Sequence, residues 1–308
     1  ACALLSSLLI FRLGELLFNP KVGIYSLFGF LCCFEVIRSA TDARPYALAV
    51  TLMLASTIFL IKWCASTSAK WLMSYAIFLL GMIYAHYLFV FVIFIHAFWI
   101  LSCYFRDQSH NRKLLKQTFL LVIVLIIGLA PNIFQLRVLT AKGEGLSFAE
   151  FPSAVSLLKA MIPLDVVMVL GLLFSFQLTI WRHSRPNLSY AEAKEHRRAF
   201  YFAVLWLILP IFLVYAVSLV TGHSIFIERY YSERVVGIGL ISGLIISSIL
   251  STRKRIALVV CLVFISAIGQ YITREGERAQ EGWKAAIEKI INVDPSSHCS
   301  VLLLTGFK

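Results

Sequence analysis

The stretch Phe200–Thr221, FYFAVLWLILPIFLVYAVSLVT, decides the fold because it contains no charged residue. A helix needs about 20 apolar residues to cross the hydrocarbon core of a bilayer. Comparable stretches recur along a chain in which 60% of residues are hydrophobic and 14% are charged. They lie near 3–11, 22–38, 46–61, 71–85, 87–105, 118–136, 161–181, 200–221, 235–251 and 256–272. The sequence therefore predicts an all-α polytopic membrane protein with about ten transmembrane helices.

Basic residues are concentrated on alternate connections between these stretches. One set of connections carries 16 of the 28 Lys and Arg residues against four acidic residues, and so accounts for the whole net charge of +12. Basic loops near span ends stay in the cytoplasm. We therefore expect the other set to face the outside, which is the periplasm in a bacterial inner membrane. Anionic lipid headgroups are sufficient partners for the basic loops, and the charge requires no nucleic acid.

The two ends of the chain suggest its domain organisation. We predict a transmembrane domain over 1–273 and the start of an outer, periplasmic appendage over 274–308, with a polar link at Arg274–Gln280. The apolar stretch at 3–11 is too short for a full crossing. We therefore expect the chain to be N-terminally truncated, with further spans and an outer loop bearing an acidic residue upstream. The seven cysteines have neither a disulfide-framework spacing nor a zinc-site spacing.

The connection between the second and third stretches is the first candidate site. Pro45 prevents a helix from continuing through Arg44, so Asp42 and Arg44 are expected at the membrane surface beside the start of the next helix. A carboxylate there can act as a base or metal ligand, and an arginine can bind a phosphate through two hydrogen bonds. The alternative interpretation is an interfacial ion pair with Tyr46 as an aromatic anchor.

Two further outer segments combine charged and aromatic side chains. In Tyr84–Tyr87, His86 can bind a metal or exchange protons, or these rings can belong to the aromatic belt of the interface. Before the ninth stretch, Glu228–Arg234 offers Arg229 as a second phosphate ligand. The alternative there is salt bridging at the surface.

Four positions inside the apolar stretches have both a functional and a structural explanation. Glu35 is costly in a membrane and therefore a functional candidate, but Arg38 at i+3 can pair with it. His96 is better explained as a hydrogen-bonded packing residue. Gly239 and Gly243 form a small-residue stripe that favours close helix packing.

The order of these motifs resembles a known family. Asp42-Ala43-Arg44-Pro45-Tyr46-Ala47-Leu48, then Lys70-Trp71-Leu72 opening a span that ends in Tyr84-Ala85-His86-Tyr87, resembles the polyprenyl-phosphate-sugar-dependent glycosyltransferases of the GT-C fold. More narrowly, it is similar to bacterial relatives of the dolichyl-phosphate-mannose protein mannosyltransferases and to the aminoarabinose transferases of lipid A. The resemblance continues through Pro210, Phe226–Tyr230 and the tryptophan-bearing segment Glu281–Ala286.

The resemblance implies a membrane glycosyltransferase with a GT-C-like bundle. Such an enzyme moves a sugar from a polyprenyl-phosphate donor to a lipid, glycan or protein acceptor at the outer membrane face. By the same resemblance Asp42 is the catalytic carboxylate, and Arg44 and Arg229 bind the donor phosphate. Tyr46, His86, Tyr87 and Tyr230 line the pocket, and His86 is a candidate ligand of a divalent metal. Without the expected upstream loop, the fragment itself is expected to be inactive.

Two other functions remain open from the residues. An O-antigen polymerase or ligase also handles polyprenyl-linked glycans, but it uses a large outer loop with several arginines, whereas 137–160 holds Arg137, Lys142 and Lys159. A transporter or flippase places polar groups near the middle of the membrane, often in repeated halves. Here the charged clusters lie at one surface, which favours a surface site for a membrane-borne substrate.

Overall fold

The computed structural model describes residues 1–41, 45–106, 111–141, 151–161, 190–249 and 251–280. The regular structure of this part is helical. The helices are α1 (Cys2–Leu17), α2 (Pro20–Leu31), α3 (Phe34–Thr41), α4 (Tyr46–Ser66), α5 (Ala69–Ala85), α6 (Val92–Tyr104), α7 (Asn111–Ala141), α8 (Ala154–Met161), α9 (Tyr190–Thr221), α10 (Arg234–Ser247) and α11 (Thr252–Gln280). Two 3₁₀ helices, Tyr87–Phe91 and Glu228–Tyr231, precede α6 and α10.

Five helical segments of the described chain are long and apolar enough to cross a membrane, or six if a bent pair counts as one. The five are Tyr46–Ser66, Tyr87–Tyr104, Asn111–Asn132, Glu195–Thr221 and Thr252–Tyr271. The described part is thus that of an all-helical polytopic membrane protein, but the expected count of about ten spans is too high for the described residues. Helices α5 and α10 have only 17 and 14 residues. Most of 161–181 lies outside the described part.

The apolar stretch near 22–38 forms two helices instead of one. α2 and α3 are inclined by 68° across a break at Cys32 and Cys33. Ser266 of α11 donates a hydrogen bond to the backbone carbonyl of Cys32, with an oxygen–oxygen distance of 2.8 Å. A membrane interior offers no water to an exposed carbonyl, so such a side-chain donor stabilises the break.

The predicted small-residue stripe on α10 is a packing surface. A Cβ atom on Gly239 would lie 3.1 Å from the backbone oxygen of Ser26 in α2, and one on Gly29 of α2 would lie 2.5 Å from Cβ of Ser242. A Cβ atom on Gly237 would overlap the backbone of Leu207 in α9. Small side chains therefore let α2, α9 and α10 approach closely, as in other membrane helix bundles.

Two helices expose most of their apolar surface. Only 11% of the residues in the apolar segment of α7, and 6% of those in the apolar segment of α11, are buried. Exposed side chains include Phe119 and Ile127 of α7 and Phe264 of α11. Exposed apolar surface of this extent is stable in contact with lipid, so we expect both helices to face the membrane. α11 also continues as a helix to Gln280, so the polar segment predicted as a link at Arg274–Gln280 is helical.

The helix termini form two ends that differ in charge. At the first, which we call the basic end, Gln117 of α7 donates to the backbone oxygen of Thr67 (3.0 Å), and Arg106 pairs with Glu195 of α9. At the other, which we call the rim, the break between α5 and α6 meets the starts of α4 and α10 and the 3₁₀ helix before α10. The candidate residues that the structure describes lie at the rim.

Candidate functional site

His86 is presented at the rim by a break between two helices. Its backbone is extended, with φ −156° and ψ 109°, so α5 ends there before the 3₁₀ helix begins. The amide of His86 donates to the carbonyl oxygen of Met82 at 2.9 Å, which satisfies the last turn of α5. The imidazole ring is therefore held at a fixed corner rather than on a mobile loop.

Aromatic rings from three parts of the chain surround this imidazole. The centroid of the His86 ring lies 4.6 Å from that of Tyr46, 5.6 Å from that of Tyr87 and 6.1 Å from that of Tyr230. Tyr46 opens α4, and Tyr230 belongs to the 3₁₀ helix before α10. The structure thus brings together all four residues that the sequence placed in a pocket.

Arg229 joins the same group. Its guanidinium carbon lies 5.6 Å from the centroid of the Tyr230 ring, a cation–π distance. Burial, and then the positive charge of Arg229, lowers the pKa of His86 to about 4. His86 is therefore neutral at physiological pH, and its Nδ1 atom is buried without a hydrogen-bond partner. We call Tyr46, His86, Tyr87, Arg229 and Tyr230 the rim cluster.

A small cavity adjoins the rim cluster. It has a volume of about 40 Å³, room for about three water-sized groups. It is lined by Glu35, Arg38, Ser39, Tyr46, Glu228, Arg229 and Ser232. Among its lining residues, Arg229 Nε and Ser232 Oγ are buried without hydrogen-bond partners. Together with His86 Nδ1 they form a set of unpaired polar atoms at the rim, and buried polar atoms are normally hydrogen-bonded.

A buried ion-pair network forms one wall of this cavity. Arg234, which is 2% exposed, donates from Nε to Oε1 of Glu35 at 2.9 Å, and its Nη2 atom also contacts that oxygen. Its Nη2 atom reaches Oε1 of Glu228 at 3.1 Å, and Nη1 donates to the carbonyl oxygen of Ala160 at 2.7 Å. One guanidinium thus connects α3, α8 and α10. Full pairing is what makes a buried charge tolerable.

Glu233 is the neighbouring buried acid. It is 0% exposed, and neither carboxylate oxygen has a hydrogen-bond partner. Burial raises the pKa of this carboxyl group to about 8. It is therefore largely protonated at neutral pH, the usual response of an unpaired buried carboxylate.

Sequence reasoning missed the main partner of Glu35. The predicted alternative was local pairing with Arg38, whereas the structure pairs Glu35 with Arg234, 199 residues away. The signal was present, because an acid in one apolar stretch and a base at the start of another both require a partner. The expectation for His96 is confirmed, since its buried ring contacts Thr57 Oγ1 at 3.0 Å and Tyr75 Oη at 3.1 Å.

Asp42 and Arg44 lie outside the described residues, so their roles stay predictions. Ser39 and Tyr46, which flank them in the sequence, both line the cavity. Among the described residues no group of three or more His, Cys, Asp or Glu side chains is arranged to hold a metal ion. The metal role of His86 is likewise a prediction. Comparison with protein-family models, curated proteins and solved structures finds no match for this chain.

Proposed function

We propose that this chain is a GT-C-type glycosyltransferase that uses a polyprenyl-phosphate sugar as donor. The acceptor is a hydroxyl group of a lipid, glycan or protein at the membrane surface on the rim side. Because basic loops are expected to stay in the cytoplasm, the proposal assigns that surface to the periplasmic side of a bacterial inner membrane. In this proposal the helices shorter than a full span complete a GT-C-like bundle.

The observation that carries the proposal is the set of unpaired polar atoms at the rim. Arg229 Nε and Ser232 Oγ are hydrogen-bond donors, buried beside the rim cavity without acceptors among the described residues. A phosphate supplies acceptor oxygens and a negative charge, and charge-assisted bonds to it are among the strongest in proteins. The cavity has room for a few oxygen-sized groups, which suits a phosphate better than a whole sugar.

The proposed reaction uses the residues in separate roles. Asp42 accepts the proton of the acceptor hydroxyl, whose oxygen attacks the anomeric carbon of the donor sugar. The bond between that carbon and the phosphate oxygen breaks, and the negative charge that develops on the phosphate is stabilised by Arg229 and Arg44. Neutral His86 adds no positive charge, and Tyr46, Tyr87 and Tyr230 provide aromatic surfaces for the sugar. A divalent metal held by His86 and Asp42 would add charge stabilisation.

The test is sugar transfer in membranes that contain the full-length protein. Membranes receive a labelled polyprenyl-phosphate sugar, and the labelled acceptor is quantified for wild type and for Arg229→Gln. Loss of a charge-stabilising donor typically costs about 10²–10³-fold in turnover, so we expect a loss of that order. Arg253→Gln at the exposed start of α11 is the matched control and should transfer at the wild-type rate.

Three outcomes oppose the proposal. Unchanged transfer in both Arg229→Gln and Asp42→Asn removes these residues from the site. Lack of transfer by wild type with every lipid-phosphate sugar tested removes the activity. Movement of the labelled donor between leaflets, without transfer, identifies a flippase instead.

A further inference from the structure

A second cavity lies at the basic end, remote from the rim. It has a volume of about 140 Å³, and its lining includes Cys64, Cys103, Trp99, Arg106 and Arg198. Cys64 and Tyr46 lie on the same helix, α4, about 27 Å apart at 1.5 Å per residue. The cavity is therefore separate from the proposed transferase site, and nothing in that reaction uses its two thiols.

The two cysteines of this cavity are neighbours across two helices. Cys64 is in the last turn of α4 and Cys103 in the last turn of α6. Both side chains line the same cavity. Both are free thiols and only partly buried. A disulfide needs its two sulfur atoms to approach to about 2.05 Å, and here both cysteines line one cavity at the ends of helices that pack together.

The guanidinium groups of Arg106 and Arg198 line the same cavity as this thiol pair and make its surroundings electropositive. Nη1 of Arg198 lies 3.5 Å from Sγ of Cys103. Arg198 is held in place by Glu195, at 3.0 Å, and by the ring of Trp99, whose centroid lies 4.1 Å from its guanidinium carbon. Partial exposure and adjacent positive charge are the conditions under which protein thiols react. Cys33, by contrast, is buried and donates to the carbonyl oxygen of Gly29 at 3.2 Å.

We propose that Cys64 and Cys103 form a redox-active dithiol that a small hydroperoxide converts to a disulfide. The sulfur of Cys103 attacks one oxygen of hydrogen peroxide, the O–O bond breaks, and a sulfenic acid and one water form. The sulfur of Cys64 then displaces the hydroxyl group of the sulfenic acid, which leaves as a second water. The thiols lose two protons and two electrons in total, and the peroxide is reduced to two waters.

The disulfide would join the end of α4 to the end of α6. The basic loops are expected to face the cytoplasm, where disulfides are usually transient and redox-sensing. Thiol reductants would reverse the bond by exchange. The site is therefore assigned to reversible oxidation by a hydroperoxide that reaches the basic end of the bundle.

The test uses the full-length protein in membrane vesicles treated with hydrogen peroxide. Remaining thiols are blocked with a maleimide, and the digested protein is analysed by mass spectrometry. We expect a linked pair of peptides, one from α4 and one from α6, that disappears after treatment with dithiothreitol. Complete maleimide labelling of both cysteines after peroxide treatment would overturn the proposal, and so would links that involve other cysteines instead.

Variants separate this pair from the other cysteines. Cys64→Ser should abolish the link and leave Cys103 as a sulfenic acid that dimedone traps. Cys261→Ser, at an exposed position of α11, should form the link at the wild-type rate. Arg198→Gln should slow link formation several-fold, whereas Arg253→Gln should not. Persistence of the link in Cys64→Ser would contradict the assignment, and equal rates in the two arginine variants would contradict the part assigned to Arg198.

Discussion

The rim and the basic end hold their charged residues in opposite ways. At the rim, Arg234 is 2% exposed and is paired with Glu35 and Glu228. At the basic end, Arg12 and Glu15 of α1 form an i,i+3 pair at 2.6 Å, but their side chains are 67% and 31% exposed. An exposed pair of this kind can be solvated by water and lipid headgroups, so it needs no particular partner. The buried charges at the rim require defined partners, and the buried polar atoms left unpaired there are candidates for binding a ligand.

The largest expected effect on stability is the removal of Arg234. Arg234→Leu leaves Glu35 buried without its partner, and we expect the free energy of unfolding to fall by about 3–5 kcal/mol. Arg12→Gln, which breaks the exposed pair, should change it by at most about 1 kcal/mol. Unfolding in detergent micelles, followed by circular dichroism against denaturant, measures both.

A second variant shows whether the effect comes from the unpaired charge. Adding Glu35→Gln to Arg234→Leu removes that charge, so the double variant should be more stable than Arg234→Leu alone. If Arg234→Leu and Arg12→Gln destabilise equally, the contrast between the two ends is wrong.

The next largest effect concerns the close packing of α10, which begins with Arg234 at the rim, against α9. Gly237→Ala places a methyl group against the backbone of Leu207. Overpacking of this kind typically costs about 1–3 kcal/mol. Gly269→Ala on α11 meets no atom within 4 Å and should be neutral or stabilising, because alanine favours a helix over glycine. The thermal midpoints of the two variants in micelles check this, and a Gly237→Ala midpoint at or above the wild-type value would contradict it.

A further effect is a pH dependence that arises from His86 at the rim. Burial, and to a lesser extent the positive charge of Arg229, lowers the pKa of His86 to about 4. An unperturbed histidine has a pKa of about 6.5. As the pH falls through that window the unfolded chain binds a proton that the folded chain does not, so the free energy of unfolding decreases. Replacement of His86 by Gln should remove this part of the acid destabilisation.

The measurement is the difference between wild type and His86→Gln in unfolding free energy from pH 7 to pH 4. A difference is needed because the raised pKa of Glu233 acts in the opposite direction, lowering stability as the pH rises toward about 8. His223→Gln, at an exposed histidine, is the control. A difference that is constant with pH would show that His86 titrates alike in both states.

The helical elements were largely predictable from the sequence. Prediction failed where the structure depends on tertiary packing. An uncharged run such as Phe200–Thr221 predicts a membrane helix wherever it occurs in the chain, because the length of an apolar run is a local property of the sequence. The bend at Cys32 and Cys33 was not predictable, since it depends on Ser266, which is distant in sequence. The number of spans was overestimated because apolar composition does not reveal how long each helix is once packed.

For the site, the sequence indicated residue types but not their partners. Arg229 and His86 were candidates from their surroundings in the sequence, and the structure places both beside Tyr230. Ser232 was not a candidate, and Glu233 was named only as part of the charged segment before the ninth stretch, because serine and glutamate near a span end are ordinary in sequence. Only burial without a partner makes them distinctive.

The sequence by itself determined that the chain is a bundle of membrane helices with a basic end and a second end of balanced charge. Transfer of apolar and charged groups between water and lipid depends on each segment alone, so local composition is sufficient. The tertiary structure decided that Glu35 pairs with Arg234 and that a cavity adjoins Tyr46 and Arg229. Those features require side chains from distant segments to meet within a few ångströms, and packing geometry alone determines which ones do.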